Sequence, residues 1–279
     1  MSTSSASSWP SSSLSLEQEF AGRRVLVTGG TRGMGQAIAV RFLAAGARVA
    51  VTARKGRPDL DASLHFIEAD TSTREGVAMV IDEVKAHMGG VDILINNVGG
   101  SSSPAGGFQA LTDEHWEIEL NTNLLGAVRL DRAFVPGMIE AATAQGVGAG
   151  VVIHIASIQR LSPLPESTIA YAAAKAALVN YSKGLSKELG PKGVRVVCVS
   201  PGFIETEAAA AFVDHLANAA GDDRETAMQK VIAGIGGIPL GKPGRPQDIA
   251  ETVAFLASPR AAYIHGTEVI IDGGSVPSI

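Results

Sequence analysis

From residue 24 onward, short uninterrupted runs of apolar and β-branched residues alternate with longer stretches whose apolar positions recur every three or four residues. The short runs are 24–28, 48–53, 64–68, 92–96, 151–156, 194–200 and 268–271. Most are apolar throughout rather than at every second position, the pattern of parallel strands covered on both faces. The intervening stretches read as helices. Residues 34–45 carry Met34, Ile38 and Phe42 at four-residue spacing and stop at Gly46. Residues 73–88 open on a capping threonine and end before Gly89-Gly90. Residues 113–145 read as one long helix kinked at Pro136, 172–189 as a helix ended by Gly190-Pro191, and 247–257 as a helix after Pro246. This rhythm predicts an α/β fold: a single doubly wound, Rossmann-type domain with a seven-stranded parallel sheet and helices on both faces.

Two segments break the rhythm. Residues 1–18, dominated by serine, read as a mobile tail ahead of one domain spanning 19–279. They lack the basic start and apolar core of a secretory signal. Residues 203–238 are alanine-rich, interrupted by Gly221 and ended by Gly234, Gly236 and Gly237. They follow a strand end, where ligands bind in such sheets, so they read as a mobile flap over a substrate; the plainer alternative is a surface helix pair.

Composition narrows the picture. A chain of 279 residues, 46% hydrophobic, can bury a large core. A net charge of -5 with interspersed signs gives no electrostatic case for nucleic-acid binding. No apolar run reaches the roughly 18–20 residues of a membrane span. The single cysteine, Cys198, excludes an intrachain disulfide framework and reads as a buried small hydrophobe. The scattered histidines suggest no metal site, and His154 reads as a core histidine satisfied by a hydrogen bond. Asp113, Glu114, Glu117 and Glu119 read as a solvated helix start. A cytoplasmic location follows by elimination.

The chemistry is concentrated in a few residues. Tyr171 and Lys175 are four apart on a helix and share one face. An ammonium there favours the phenolate and would lower the tyrosine pKa from about 10. Such a tyrosine can exchange a proton with an alcohol or carbonyl oxygen. Ser157 follows a strand and can donate to that oxygen as negative charge grows on it. Read alone, the tyrosine would be a packing residue, the serine a cap and the lysine a solvated side chain. Near the start, Thr28, Gly29, Thr31, Arg32, Gly33, Met34 and Gly35 occupy the turn between a strand and a helix. Glycines there let the backbone approach a pyrophosphate, whose charge meets the helix N-terminus.

The spacing T-G-x-x-x-G-x-G resembles the short-chain dehydrogenase/reductase family, and the resemblance continues in order along the chain. Asn96-Asn97-Val98-Gly99 is similar to the family's N-N-A-G segment, with valine in place of alanine. Asn123 matches its helix asparagine, Ser157, Tyr171 and Lys175 its catalytic residues, and 270–274 its closing strand and turn. The branch it most resembles contains the beta-ketoacyl-carrier-protein reductases and related carbonyl reductases, although the loop between Ser157 and Tyr171 is slightly longer here. The resemblance implies that Lys175 also holds the nicotinamide ribose and that Asn123 stabilises a proton-relay water. It further implies that Asp70 and Thr71 contact the adenine. Asn97, Val98, Gly99, Pro201, Gly202, Ile204 and Thr206 would line the remaining cofactor path. A homodimer or homotetramer, joined through the long helices and the last strand, is implied as well.

The end of the second strand selects the cofactor. An acid there would bind the adenine ribose hydroxyls of NAD. Here Ala53 stands in that place and Arg54 follows, with Arg32, Lys55 and Arg57 adding positive charge. A guanidinium grips a ribose phosphate, so the reading is NADP(H); the alternative for Arg54 is an ordinary surface residue. Pocket walls at 99–108, 158–168 and the flap, with Phe108, Leu161, Leu164, Phe203 and Phe212, suit an apolar ketone or acyl group. Three functions stay open: an NADPH-dependent carbonyl reductase, a secondary alcohol dehydrogenase working oxidatively, and a nucleotide-binding regulator without catalysis.

Overall fold

A computed structural model describes residues 16–145 and 149–277. Of the expected tail, residues 1–15 lie outside the described residues, and Leu16–Gln18 form a short 3-10 turn.

Seven parallel strands form one sheet in the order β3-β2-β1-β4-β5-β6-β7. They are β1 (Arg24–Thr28), β2 (Arg48–Ala53), β3 (His65–Glu68), β4 (Ile93–Asn96), β5 (Gly150–Ile155), β6 (Val194–Pro201) and β7 (Glu268–Ile271). Successive side chains point to opposite faces, and both faces are apolar. Val25, Val27, Ile93 and Ile95 pack on one side with Ile38, Phe42 and Val253, from α1 (Gly33–Ala44) and α8 (Pro246–Ala257). Leu26 and Leu94 face the other way, onto Val80 and Val84 of α2 (Arg74–Met88) and onto Leu130 and Phe134. This double coverage explains why the strand runs read as continuously apolar. The order reverses between β1 and β4, which opens a crevice at their carboxyl ends.

Local signals set the helix ends. The Thr73 hydroxyl accepts from the Gly76 amide at 2.9 Å, capping α2, and Gly89 ends it in the left-handed conformation at φ 72°.

The expected single helix over 113–145 is corrected. α3 (Asp113–Leu120) passes through a π-helical turn, Asn121–Leu125, into α4 (Gly126–Gln145). The irregularity thus lies around Asn123, and Pro136 sits inside α4. Asparagine side chains serve the widened turn: the Asn121 amide donates to the Glu117 carbonyl at 2.8 Å, and the Asn123 amide to the Glu119 carbonyl at 3.1 Å. Arg129 braces it by donating to Asn121 Oδ1 and to the Ser72 carbonyl. Single π turns of this kind recur at functional sites.

Residues 203–238 contain two helices, α6 (Glu207–Ala220) and α7 (Arg224–Gly234). Val213, Ala217, Ala227 and Val231 join Ile158 and Leu164 in a small apolar cluster apart from the main core.

Candidate active site

The β1 and β4 ends are laced together. Thr28 Oγ1 accepts from the amides of Asn97 and Val98 at 2.9 and 3.0 Å, and Asn97 Nδ2 donates to the Thr28 carbonyl at 2.8 Å. A Cβ on Gly35 would stand 2.1 Å from the Gly29 carbonyl oxygen. Only glycine lets the start of α1 close onto this loop. Asn97 Oδ1 is buried without a partner. The glycine cradle and this orphaned acceptor fit a nucleotide's pyrophosphate and a ribose hydroxyl.

Arg54 and Lys55, just past β2, and Arg32, in the turn before α1, are exposed, and none has an ion-pair partner among the described residues. Arg57 departs from expectation. It pairs with Asp59 at 3.0 Å and with Glu207 of α6 at 2.8 Å, so its charge is already matched and it ties the β2 loop to α6. Asp70 accepts from the backbone and hydroxyl of Ser72, which shapes the turn beside buried Thr71. Thr206 meets the glycine loop from above: a Cβ on Gly33 would lie 3.3 Å from its methyl.

Tyr171 and Lys175 lie on α5 (Ile169–Leu189), which packs along β6. Lys175 is buried, and its ammonium donates to the Ile155 carbonyl at 2.8 Å, at the end of β5. It stands 5.8 Å from the centre of the Tyr171 ring. Ser157, just past β5, faces the same cleft as Tyr171, while Pro201 ends β6 and Gly202 follows it into the cleft lining. Asn123 is buried; its Oδ1 accepts from the Gly100 amide and its Nδ2 donates to the Gly100 carbonyl, both at 3.0 Å. A Cβ on Gly99 would lie 2.6 Å from Lys175 Nζ and 3.0 Å from Asn123 Oδ1. We therefore expect Gly99→Ala to push the lysine from its seat and to lower kcat about 10–100-fold, because small misplacements at a reacting centre have effects of that order. Steady-state kinetics on a folded variant reads this directly.

The expected lowering of the Tyr171 pKa by Lys175 is overturned. Burial is the largest influence and moves the phenol above its ordinary value; the Ser157 hydroxyl pulls it back and Glu119 pushes it further up. Burial also brings Lys175 down to about 8, opposed by Cys198 and Glu119. Cys198 is itself pushed up to about 12 by burial and remains a thiol.

Glu119 also departs from the expected solvated helix start. Asp113, Glu114 and Glu117 are exposed, but Glu119 is only 1% exposed. Its Oε2 accepts from Asn123 Nδ2 at 2.8 Å and its Oε1 from the Ser102 amide at 2.7 Å.

The cleft in front of Tyr171 and Ser157 measures about 240 Å³. Ile158, Phe203, Phe212, Val231 and Ile235 make it apolar, and Ser101, Gln159 and Thr168 add neutral polar atoms. Phe108 and Leu161 are exposed and do not line it, contrary to expectation, and Leu164 packs with Val213 and Ala217 of α6 and Val231 of α7. A groove of about 390 Å³ lies elsewhere, between Arg48, His65 and His87 at the amino ends of β2 and β3. Neither feature suggests a metal: among the described residues no group of three or more His, Cys, Asp or Glu is placed to hold one. No described helix is long and apolar enough to cross a membrane.

His154 is fully buried, as its apolar strand implies. Its ring nitrogens meet Asp131 at 2.9 Å and Ser182 at 3.1 Å. Tyr181 and Asn96 also donate to Asp131, which anchors the β4 end beneath the cofactor loop.

The comparisons agree with this geometry. The sequence model described as enoyl-(acyl carrier protein) reductase matches residues 29–275. The 3-oxoacyl-acyl-carrier-protein reductase of Chlamydia trachomatis is 32% identical over 262 residues, covering 90% of this chain and 96% of that protein. The Escherichia coli enzyme of the same name is 32% identical over 261 residues, covering 91% and 98%. L-sorbose reductase from Gluconobacter frateurii, solved with NADPH and L-sorbose, superposes with a TM-score of 0.82 at 31% identity, covering 94% of this chain and 100% of that one. Aldohexose dehydrogenase from Thermoplasma acidophilum, solved without ligand, superposes with a TM-score of 0.79 at 28% identity, covering 94% and 97%. With the glycine-loop turn, the parallel sheet and the Ser157–Tyr171–Lys175 constellation, these similarities establish that the chain belongs to the short-chain dehydrogenase/reductase family of oxidoreductases.

Proposed function

We propose that the protein is an NADPH-dependent reductase that converts a ketone or 3-oxoacyl carbonyl to a secondary alcohol. The observation that carries this reading is one apolar cleft onto which Ser157 and Tyr171 converge, with Lys175 fixed behind the tyrosine. When bound, NADPH supplies the hydride to the carbonyl carbon. Ser157 donates a hydrogen bond to the carbonyl oxygen and orients it. Tyr171 gives that oxygen its phenolic proton as negative charge builds there. The raised Tyr171 pKa keeps the phenol protonated and so ready to donate at neutral pH. Lys175, as an ammonium, offsets the charge left on the tyrosine oxygen and would hold the ribose hydroxyls. Asn123 would order a relay water that returns a proton to the tyrosine.

NADPH rather than NADH is favoured by Ala53 in place of an acid and by the cations Arg32, Arg54 and Lys55, which have no ion-pair partner among the described residues. The Gluconobacter reductase, crystallised with NADPH, supports the same choice. Asp70 and Thr71 would flank the adenine. Thr28, Gly29, Thr31, Gly33, Met34 and Gly35 would receive the pyrophosphate, and Asn97, Val98, Gly99, Pro201, Gly202, Ile204 and Thr206 the nicotinamide half. The α6–α7 pair would act as the flap. A homodimer or homotetramer is part of this reading; among the described residues β7 is a sheet edge bonded only to β6, open to a second copy. We place the protein in the cytoplasm, as a one-domain enzyme over 19–279.

A panel of ketones, 3-oxoacyl thioesters and 2-enoyl thioesters, followed by nicotinamide absorbance, tests the reaction. Carbonyl substrates consume NADPH and form one secondary alcohol per cofactor, and the enoyl compounds stay inert. Turnover of the enoyl compounds alone would contradict the reading. Lys175 is charged below about 8 and neutral above, while Tyr171 keeps its proton across the same range. The kcat for reduction therefore declines as pH rises through about 8.

A further inference from the structure

Glu119 is a buried carboxylate with no cationic partner among the described residues, and the mechanism above does not use it. Each of its closest partners donates to it. Oε1 takes the Ser102 amide at 2.7 Å, the Ser103 hydroxyl at 3.1 Å and the Ser101 hydroxyl at 3.3 Å. Oε2 takes Asn123 Nδ2 at 2.8 Å. A set made only of donors suits an acceptor-only group. Through Asn123, the carboxylate is one side chain from Lys175, because Asn123 Oδ1 and Lys175 Nζ crowd the same point beside Gly99. Through the serines, it is one residue from the cleft, which Gly100 and Ser101 line.

We propose that Glu119 is a positioning residue of this site: it fixes the Asn123 amide and the Gly100–Ser103 loop, and it provides the negative counter-charge for the Lys175 ammonium. This rests on the reductase reading for its consequence, but the electrostatic part stands on the protein alone. The titratable groups that face Lys175 are Tyr171 on its own helix, Cys198 on β6 and Glu119 on α3. The phenol and the thiol are both held neutral by burial. Cys198 in turn feels Glu268, which is paired with Arg160. Glu119 is therefore the anion that sustains the lysine charge. Without it, burial would discharge Lys175 at lower pH.

Glu119→Gln keeps the shape and removes the charge. Glu119→Leu is a second neutral variant that turns no N–H on the Ser102 amide. NMR titration of isotope-labelled lysine in the cofactor-free protein should find Lys175 losing its proton near pH 8 in the parent and about half a unit to one unit lower in either variant. The alkaline limb of ketone reduction should move down by the same amount, with about a 3–10-fold loss of rate above it. Ser103→Ala loosens the loop without altering charge, so it should raise KM and leave the Lys175 titration where it is. Unchanged Lys175 titration in both neutral variants overturns the proposal, as does an equal shift in Ser103→Ala. A parent protein that reduces no carbonyl compound refutes the reductase reading instead, and the cofactor-free titration still decides the role of Glu119.

Discussion

Tyr171→Phe protein should bind NADPH as the parent does and reduce its ketone about 10²–10⁴-fold more slowly. The ring fills the same space, so the half-buried start of α5 keeps its packing and the variant loses only an oxygen. That oxygen faces the cleft together with the Ser157 hydroxyl, and the Lys175 ammonium lies 5.8 Å from the centre of its ring. Ser157 is the poorer substitute, since an aliphatic hydroxyl is a much weaker acid than a phenol. The loss should fall on kcat, because the phenolic proton is given up in the transition state and adds little to ground-state binding. Fluorescence titration with NADPH, beside steady-state rates, separates the two effects. Persistent turnover would mean that the proton comes from elsewhere.

Ala53→Asp combined with Arg54→Gln should lower the ratio of kcat/KM for NADPH over NADH by on the order of 10²–10³. Two effects act together. Removing the guanidinium forfeits charge-assisted hydrogen bonds to a ribose phosphate, worth about 1.5–3 kcal/mol, and the new carboxylate repels that phosphate while accepting from the free hydroxyls of NADH. Each 1.4 kcal/mol is about tenfold. Arg32 and Lys55 stay in place, so the swing remains finite. Arg57 contributes little, being held by Asp59 and Glu207. A parent enzyme that already prefers NADH would overturn the assignment of this strand end.

Much of this architecture can be read from the chain because parallel strands covered on both faces leave unbroken apolar runs, and β7 begins and ends where its run does. The motif residues were legible for a related reason: the glycine loop, Asn97, Ser157 and Pro201 all lie at strand ends, where the sheet brings distant segments together. What escaped the sequence depends on side-chain pairing. Glu119 sits among three solvated acids, and only the π turn after it and the serine loop above it show that it faces inward. Arg57 looks like one more cation until Glu207 arrives from a segment 150 positions away. Phe108 and Leu161 belong to loops whose direction has no periodic signature, and both point to solvent. The sign of the Tyr171 shift needed the burial of the whole site, because proximity to Lys175 alone argues for the opposite direction.

The most direct test is a crystal structure of the protein with NADPH bound. The account predicts that the nicotinamide lies beside the cleft shared by Ser157 and Tyr171, with its ribose on Lys175 Nζ and the adenine ribose phosphate against Arg54 and Arg32. A nicotinamide ring bound away from the Tyr171 hydroxyl, or a phosphate that touches none of these cations, would contradict it.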